Sequence, residues 1–221
     1  VHLRFGTVSI RELVKKAQNL SETWLNELIW RDFYFNILFH YPHVSEGHAF
    51  RKEYDRMEWR NNEAEFEAWC SGQTGYPIVD AGMRELNATG FMHNRVRMIV
   101  ASFLVKDLHL PWQWGARFFM QHLVDGDIAS NNHGWQWTAG TGTDAAPFFR
   151  VFNPTSQSAK FDPTGTYLRH WIPELAELDN ASIHEPSTLG LLAPSGYPEP
   201  MVDHSAERIE ALARYKSVSG K

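Results

Sequence analysis

The spacing of apolar residues constrains the fold most. It follows the helical period along nearly the whole chain, and no strand-like alternation between turn residues competes with it. Two capping boxes support this pattern, with Ser9 three residues before Glu12 and Asn62 three residues before Glu65. The sequence therefore predicts a mainly α fold, with a helix of about a dozen residues after Ser9, one opening after Asn62, and others over about 21–39, 77–88, 92–108, 112–124, 127–138 and 204–216.

The length of 221 residues favours one helical domain over 1–221. Within it, the stretch 179–200 holds four prolines and two glycines and is expected to form an irregular surface arm. The chain begins at Val1, in what reads as the end of a loop, so we expect a fragment of a longer protein.

Composition excludes several classes of function. A net charge of −5 argues against nonspecific coating of nucleic acid, although a local basic groove is compatible with it. The single cysteine, Cys70, excludes an internal disulfide and a cysteine zinc site, and the spacing of His40, His43 and His48 does not fit a metal motif. No apolar run is long enough to cross a membrane, so a cytoplasmic protein without a membrane partner is expected.

The segment 125–137 concentrates acids, amides and indoles between apolar stretches. In a helix, Asp127, Asn131 and Trp135 share one stripe, whereas Trp137 lies about 200° away, on nearly the opposite face. This arrangement favours a buried, planar, polar ligand with an aromatic platform beside it. The alternative is an ordinary interior helix with capping residues.

A second constellation lies on the helix predicted over 21–39. Trp24, Glu27, Trp30, Arg31 and Tyr34 fall near one face. An acid and a cation between aromatic walls can bind a heterocycle, and the alternative is a surface salt bridge between Glu27 and Arg31.

A third constellation begins the helix predicted over 92–108. Asn94 and Met98 share a face there, and Arg95 and Arg97 lie near the positive end of the helix dipole. Such arginines indicate a nearby anion, either Asp125 or a phosphate, or else a solvated basic patch.

Together these segments resemble the flavin-binding C-terminal domain of the photolyase/cryptochrome family, most closely the class I cyclobutane pyrimidine dimer photolyases. The resemblance is colinear from Leu3 onward, and it is carried by 24–31 (WLNELIWR), 74–80 (TGYPIVD), 92–98 (MHNRVRM), 101–107 (ASFLVKD), 125–137, 141–147 (TGTDAAP) and 152–154 (FNP). The family's upstream antenna-binding α/β domain and its Thr-Ser-x-x-Ser turn, which grips the FAD phosphates, are absent from this sequence.

The resemblance implies bound FAD, reduced and anionic in its working form, with a second antenna chromophore only in a full-length protein. It places Trp24, Glu27 and Arg31 on the adenine and ring side and pairs Arg97 with Asp125 beside the flavin. It also puts Asp127 at the ring edge, Asn131 at flavin N5, and Gly126 and Gly134 in the same cofactor set.

The implied activity is light-driven DNA repair. The excited flavin donates an electron to a pyrimidine dimer. Photolyases are known base-flipping enzymes, so the dimer is expected to be flipped out of the duplex. Trp30 and Trp137 would flank the dimer, and a Glu27 kept protonated by burial would contact its bases with Asn94 and Met98. Arg31 and Tyr34 complete the implied substrate set.

Two further groups follow from the resemblance alone. Arg95, Arg150, Gln157 and Lys160 match positions that hold the DNA backbone. Trp135, Trp112 and Trp59 match an electron-hopping path to the surface.

Other readings remain open. A blue-light receptor has the same fold, although Asn131 and Trp137 favour repair. A helical interaction domain with an aromatic core would carry no flavin. We expect a monomer whose partner is DNA containing pyrimidine dimers.

Overall fold

The computed structural model describes residues 1–144 and 150–219, and none of these residues forms a β-strand. Short 3-10 segments lie at Pro42–Glu46, Lys52–Arg56, Pro173–Leu175, Ser182–His184 and Pro186–Leu192. The α-helices are α1 (His2–Phe5), α2 (Ile10–Leu20), α3 (Glu22–His40), α4 (Glu63–Ser71), α5 (Pro77–Thr89), α6 (Asn94–Lys106), α7 (Trp112–His122), α8 (Ile128–Ala139), α9 (Pro154–Phe161), α10 (Thr166–Trp171) and α11 (His204–Ser219). The predicted mainly α class is confirmed.

Side-chain caps explain where several helices begin. The Ser21 hydroxyl accepts from Trp24 N at 3.2 Å, and the Asn62 amide oxygen accepts from Glu65 N at 3.3 Å. Each cap satisfies a backbone N–H that has no partner within its helix. Gly90 ends α5 with φ 69°, a left-handed conformation that glycine adopts without steric cost.

Three parts of the fold differ from the sequence prediction. Helix α6 begins at Asn94, two residues later than expected, because the His93 side chain caps it by accepting from Arg95 N at 3.1 Å. The short helices α9 and α10 were not predicted. The stretch 179–200 is not wholly a surface arm, since Ile183 is fully buried and two 3-10 segments lie within it.

The main hydrophobic core lies where α5, α6, α7 and α8 meet, with α4 and α10 packed on α5. A smaller core of Ala49, Tyr54, Met57 and Tyr215 holds α11 against the segment before α4. Helix α3 packs on α8 and α2. This arrangement leaves a cavity among α3, α6, α7 and α8. No helix in the described ranges is long and apolar enough to cross a membrane.

Candidate functional site

The cavity has a volume of about 400 Å³, which falls within the range of sites for small molecules and cofactors. The three constellations identified in the sequence converge on it. Its lining includes the predicted residues Glu27, Trp30, Arg31, Tyr34, Asn94, Arg97, Met98, Asp125, Gly126, Asp127, Asn131, Gly134, Trp135 and Trp137.

An ion pair closes one side of the cavity. One guanidinium nitrogen of Arg97 lies 3.2 and 3.1 Å from the two carboxylate oxygens of Asp125, and Arg97 Nε donates to Met92 O at 2.7 Å. Both side chains are partly exposed, so solvent weakens the pair and its main effect is to fix geometry. The acid partner predicted for Arg97 is therefore Asp125.

The first turn of α8 presents polar groups to the cavity. Asp127 caps the helix, its Oδ1 accepting from Ser130 N at 3.0 Å. Asn131 Nδ2 donates to Ala116 O of α7 at 2.9 Å, and its Oδ1 has no hydrogen bond within the described ranges. The bond to α7 orients the amide so that its carbonyl remains available as an acceptor.

Stacked rings form the wall contributed by α3. Trp30 stacks on Tyr34 with ring centroids 5.8 Å apart, and Tyr34 stacks on His133 of α8 at 5.1 Å. Burial raises the pKa of Tyr34, with smaller contributions from Asp144 and Glu27. Tyr34 is therefore a neutral hydrogen-bonding group, and the stack ties α3 to α8 beside the cavity.

The two indoles of α8, Trp135 and Trp137, both line this one cavity. Trp135 is 2% exposed, and its ring lies 6.1 Å from Trp69 and 5.1 Å from Phe119. Trp137 is only half-buried. The cavity therefore borders the helix on more than one face, which is compatible with the opposite faces predicted for the two indoles.

Two residues of α3 are placed differently from what the sequence suggests. Trp24, in the first turn of α3, is 36% exposed and is not among the residues that line the cavity, so its place beside the cofactor stays a prediction. Glu27 lines the cavity but is exposed rather than buried between indoles. The burial expected to keep Glu27 protonated is therefore not provided by the chain itself.

The four residues matched to DNA contacts lie outside the cavity lining. Arg95 and Lys160 share the ring of Phe161, at 4.6 and 5.4 Å from its centroid, although they belong to α6 and α9. Gln157 lies one turn before Phe161 on α9. Arg150 lies over Trp137 at 6.0 Å, which connects it to the cavity wall.

The charge of this group bears on what it can bind. Arg95, Arg150 and Lys160 form no ion pair with any carboxylate in the part of the chain that the structure describes. Two like charges held on one ring without a counter-ion favour an external anion. We call Arg95, Arg150, Gln157 and Lys160 the basic rim.

The remaining predicted tryptophans lie behind the cavity. Trp112 is 2% exposed in the first turn of α7, three residues before Gly115, which packs directly against the Trp135 ring. Trp59 is half-buried and contacts both hydrophobic cores. Trp112 is buried and Trp59 is partly exposed, which is compatible with the expected electron-hopping path to the surface. That path stays a prediction.

Sequence reasoning missed part of the lining. Ala101, Phe119, Leu123, Ser130, Thr138 and Asp144 also line the cavity. Ala101, Ser130 and Thr138 lie one helical turn from a predicted residue, so extending each stripe by three or four positions would have found these three. Of the motif at 141–147, residues 145–147 lie outside the described residues. Within those, no three His, Cys, Asp or Glu side chains are grouped to hold a metal ion.

Comparison with known proteins identifies relatives of the chain. Residues 24–217 match the family described as the FAD binding domain of DNA photolyase. The chain is 49% identical over 228 residues to the deoxyribodipyrimidine photo-lyase of Vibrio cholerae, covering 99% of this chain and 49% of that protein.

Solved structures are similarly close. An archaeal photolyase from Sulfolobus tokodaii, solved with two FAD molecules, superposes with a TM-score of 0.91 at 47% identity, over 98% of this chain and 49% of its own. A cryptochrome from Synechocystis gives a TM-score of 0.86 at 40% identity, over 97% of this chain and 47% of its own. The chain thus spans about half the length of these relatives. The predicted family resemblance and helical fold are confirmed.

Proposed function

The chain belongs to the family of FAD-binding domains of DNA photolyases, and from that premise we propose that it binds FAD and performs the repair half of a cyclobutane pyrimidine dimer photolyase. One observation carries the proposal. A single cavity joins an Arg97–Asp125 pair and an Asn131 amide to two indoles, Trp30 and Trp137, with a basic rim beside it. The ion pair and the amide suit a flavin, the two indoles suit a flipped-out pyrimidine dimer, and the rim suits phosphate.

The residues fit FAD by the chemistry of their donors and acceptors. Arg31, Arg97, Asp125 and Asp127, together with Gly126 and Gly134, are the set we propose to hold the cofactor. Gly134 supports this assignment, because a Cβ there would meet no protein atom within 4 Å, leaving backbone open to close approach. When bound and reduced, FAD supplies the light-excited electron that opens the cyclobutane ring.

Asn131 is proposed to favour the anionic form of reduced FAD, which carries hydrogen on N5. Its Nδ2 is engaged by Ala116 O, so Oδ1 is left to accept a hydrogen bond. A neutral amide oxygen can accept the hydrogen carried on N5 of reduced FAD without adding charge beside an anionic ring.

Trp30 and Trp137 are proposed to flank the dimer, each stacking contact contributing roughly 1–3 kcal/mol per base. Glu27, Asn94 and Met98 supply contacts to the base edges, with Arg31 and Tyr34 beside them. Glu27 is exposed in the chain itself, so its contact would be shielded from water only by the bound dimer.

The basic rim is proposed to bind DNA phosphates. Its three cations have no carboxylate partners among the described residues, so they can neutralise phosphates without first breaking ion pairs. Local cations in this position reconcile DNA binding with a net charge of −5.

We further propose that Trp135, Trp112 and Trp59 carry electrons between cavity and surface. The burial of Trp112 and the half-buried position of Trp59 support this assignment. A monomer and a cytoplasmic location stay predictions.

A receptor without repair activity is the second candidate, and the similarity to the Synechocystis cryptochrome is the observation that favours it. The two functions differ in whether damaged DNA is recognised. We expect the FAD-loaded chain to bind a duplex with one thymine dimer at least about 100-fold more tightly than the undamaged duplex, as specific protein–DNA complexes exceed nonspecific ones.

Fluorescence anisotropy in the dark measures this ratio, and flavin absorbance of the purified protein verifies loading. A chimera in which the chain replaces the matching half of the Vibrio cholerae relative controls for loss of function by truncation. Equal affinity of the FAD-loaded chimera for both duplexes would favour the receptor. Absence of flavin from both proteins would favour an interaction domain.

A further inference from the structure

A row of residues spaced by four runs along α6 from the cavity to its C-terminus: Asn94, Met98, Ser102 and Lys106. The first two line the cavity. Ser102 and Lys106 are each 1% exposed and are turned toward the segment 150–152, which carries the rim residue Arg150. One helix face therefore connects the substrate side of the cavity to the basic rim.

Lys106 holds the backbone of that segment. Its Nζ donates to the Arg150 carbonyl oxygen at 2.7 Å and lies 5.8 Å from the centroid of the Tyr215 ring. Burial lowers the pKa of Lys106 to about 8, opposed by Asp107 and assisted by the Arg150 side chain. The amine thus remains mostly charged at neutral pH, and its bond to the carbonyl is charge-assisted.

Ser102 holds the same segment one turn away. Its hydroxyl oxygen accepts from Phe152 N at 3.4 Å in a buried environment. The Arg150 guanidinium lies 5.5 Å from the Phe152 ring and 6.0 Å from the Trp137 ring. Buried polar contacts from α6 therefore fix the backbone of Arg150, while its exposed side chain lies beside the indole of the cavity wall.

We propose that Lys106, with Ser102, is a positioning residue for DNA recognition: it sets Arg150 against Trp137 so that a phosphate is bound next to the flipped-out dimer. Lys106 does not touch the substrate, and a buried ammonium that satisfies one loop carbonyl carries a desolvation cost that an apolar side chain would avoid. The proposal rests on the function proposed above, in particular on Arg150 as a DNA contact.

A double-mutant cycle between Lys106 and Arg150 tests it in the FAD-loaded protein, with the dark Kd for a dimer-containing duplex as the readout. We expect Lys106→Met to raise Kd about tenfold, as loss of one well-placed charged contact does. Arg150→Ala should raise Kd by a similar factor and lower the salt slope by about one. The double variant should bind no more weakly than Arg150→Ala, because Lys106 acts through Arg150.

Val105→Ala is the matched control. Val105 is equally buried on α6 but belongs to the hydrophobic core, so its truncation should lower Tm and leave Kd unchanged. Should Lys106→Met fail to fold, Ser102→Ala takes its place in the cycle, with a smaller rise in Kd expected.

Three outcomes overturn the proposal. In the first, Lys106→Met (or Ser102→Ala, if it replaces Lys106→Met) binds with an unchanged Kd while Arg150→Ala binds more weakly. That result removes the positioning role alone. Additive losses in the double variant show that Lys106 does not act through Arg150. An unchanged Kd in Arg150→Ala removes both the positioning role and the rim assignment of the proposed function.

Discussion

At the scale of single residues, Asp107 is a buried carboxyl group with a strongly shifted pKa. It is fully buried, its Oδ1 lies 2.5 Å from His204 Nδ1, and its Oδ2 has no hydrogen-bond partner among the described residues. Burial raises the pKa of Asp107 to about 6 from its ordinary value of 3.8, against the opposing effects of His204 and Lys106.

This shift predicts a pH dependence of stability. Between the two pKa values the folded chain holds a proton that the unfolded chain releases, so the contribution of Asp107 is largest below about pH 4 and is lost as the pH rises through about 6. The free energy of unfolding of the parent, minus that of Asp107→Asn, should fall by roughly 2 kcal/mol from pH 4 to 7. Urea denaturation across this range measures it.

Asp179→Asn is a suitable control. Hydrogen bonds from Ser182 hold the pKa of the exposed Asp179 down at about 2, so its contribution is present above its ordinary pKa and is lost only as the pH falls below it. The difference in free energy of unfolding between the parent and Asp179→Asn should be nearly constant from pH 4 to 7. A flat curve for Asp107→Asn as well would show that burial does not shift the pKa of Asp107.

At the scale of elements, the contact of α7 with α8 shapes the cavity. A Cβ at Gly115 of α7 would lie 2.1 Å from Cη2 of the Trp135 ring, whereas a Cβ at Gly134 of α8 would meet nothing within 4 Å. Both glycines lie in helices, but only Gly134 lines the cavity.

The two glycines therefore give opposite predictions. Gly115→Ala should lose about 1–3 kcal/mol of stability through overpacking against Trp135. Gly134→Ala should be as stable as the parent or slightly more so, since alanine favours a helix by up to about 1 kcal/mol. It should nevertheless bind FAD about tenfold more weakly, because its methyl group would occupy space needed for close approach.

Thermal denaturation and flavin titration separate these effects. Undiminished FAD affinity in Gly134→Ala would mean that the cofactor does not approach α8 at that residue. An unchanged Tm in Gly115→Ala would mean that α7 and α8 are not packed as closely as described.

Helix starts could be predicted from sequence because they depend on neighbouring residues. Ser9, Ser21 and Asn62 each cap a backbone N–H three residues later, which requires no knowledge of tertiary structure. Helix α9, with Asn153 as its cap and Pro154 at its first position, carried the same kind of signal and was overlooked.

The site was harder to predict from the sequence because it depends on how the helices pack against one another. Spacing placed Trp24 with Glu27 and Trp30, but Trp24 is not among the residues that line the cavity. The meeting of Arg95 and Lys160 on Phe161 joins two helices and could not be found from local pattern. The assignment of Arg95 and Lys160 to the DNA backbone came from the family resemblance, which already contains tertiary information.

At the scale of the whole molecule, a local group of positive charges lies on a chain whose net charge is negative. The chain carries a net charge of −5, yet the basic rim next to Trp137 presents cations without carboxylate partners among the described residues. For the proposed DNA binding, such a distribution would direct nucleic acid to one face and disfavour nonspecific coating elsewhere.

The central claim is that the cavity supports light-driven reversal of a pyrimidine dimer. The direct measurement uses the chain in place of the matching half of the Vibrio cholerae relative, with FAD bound and reduced, and an oligonucleotide carrying one thymine dimer. Loss of the dimer under blue light and its persistence in darkness is the predicted result. Persistence of the dimer under light, with reduced FAD bound and the damaged DNA in place, would contradict the account.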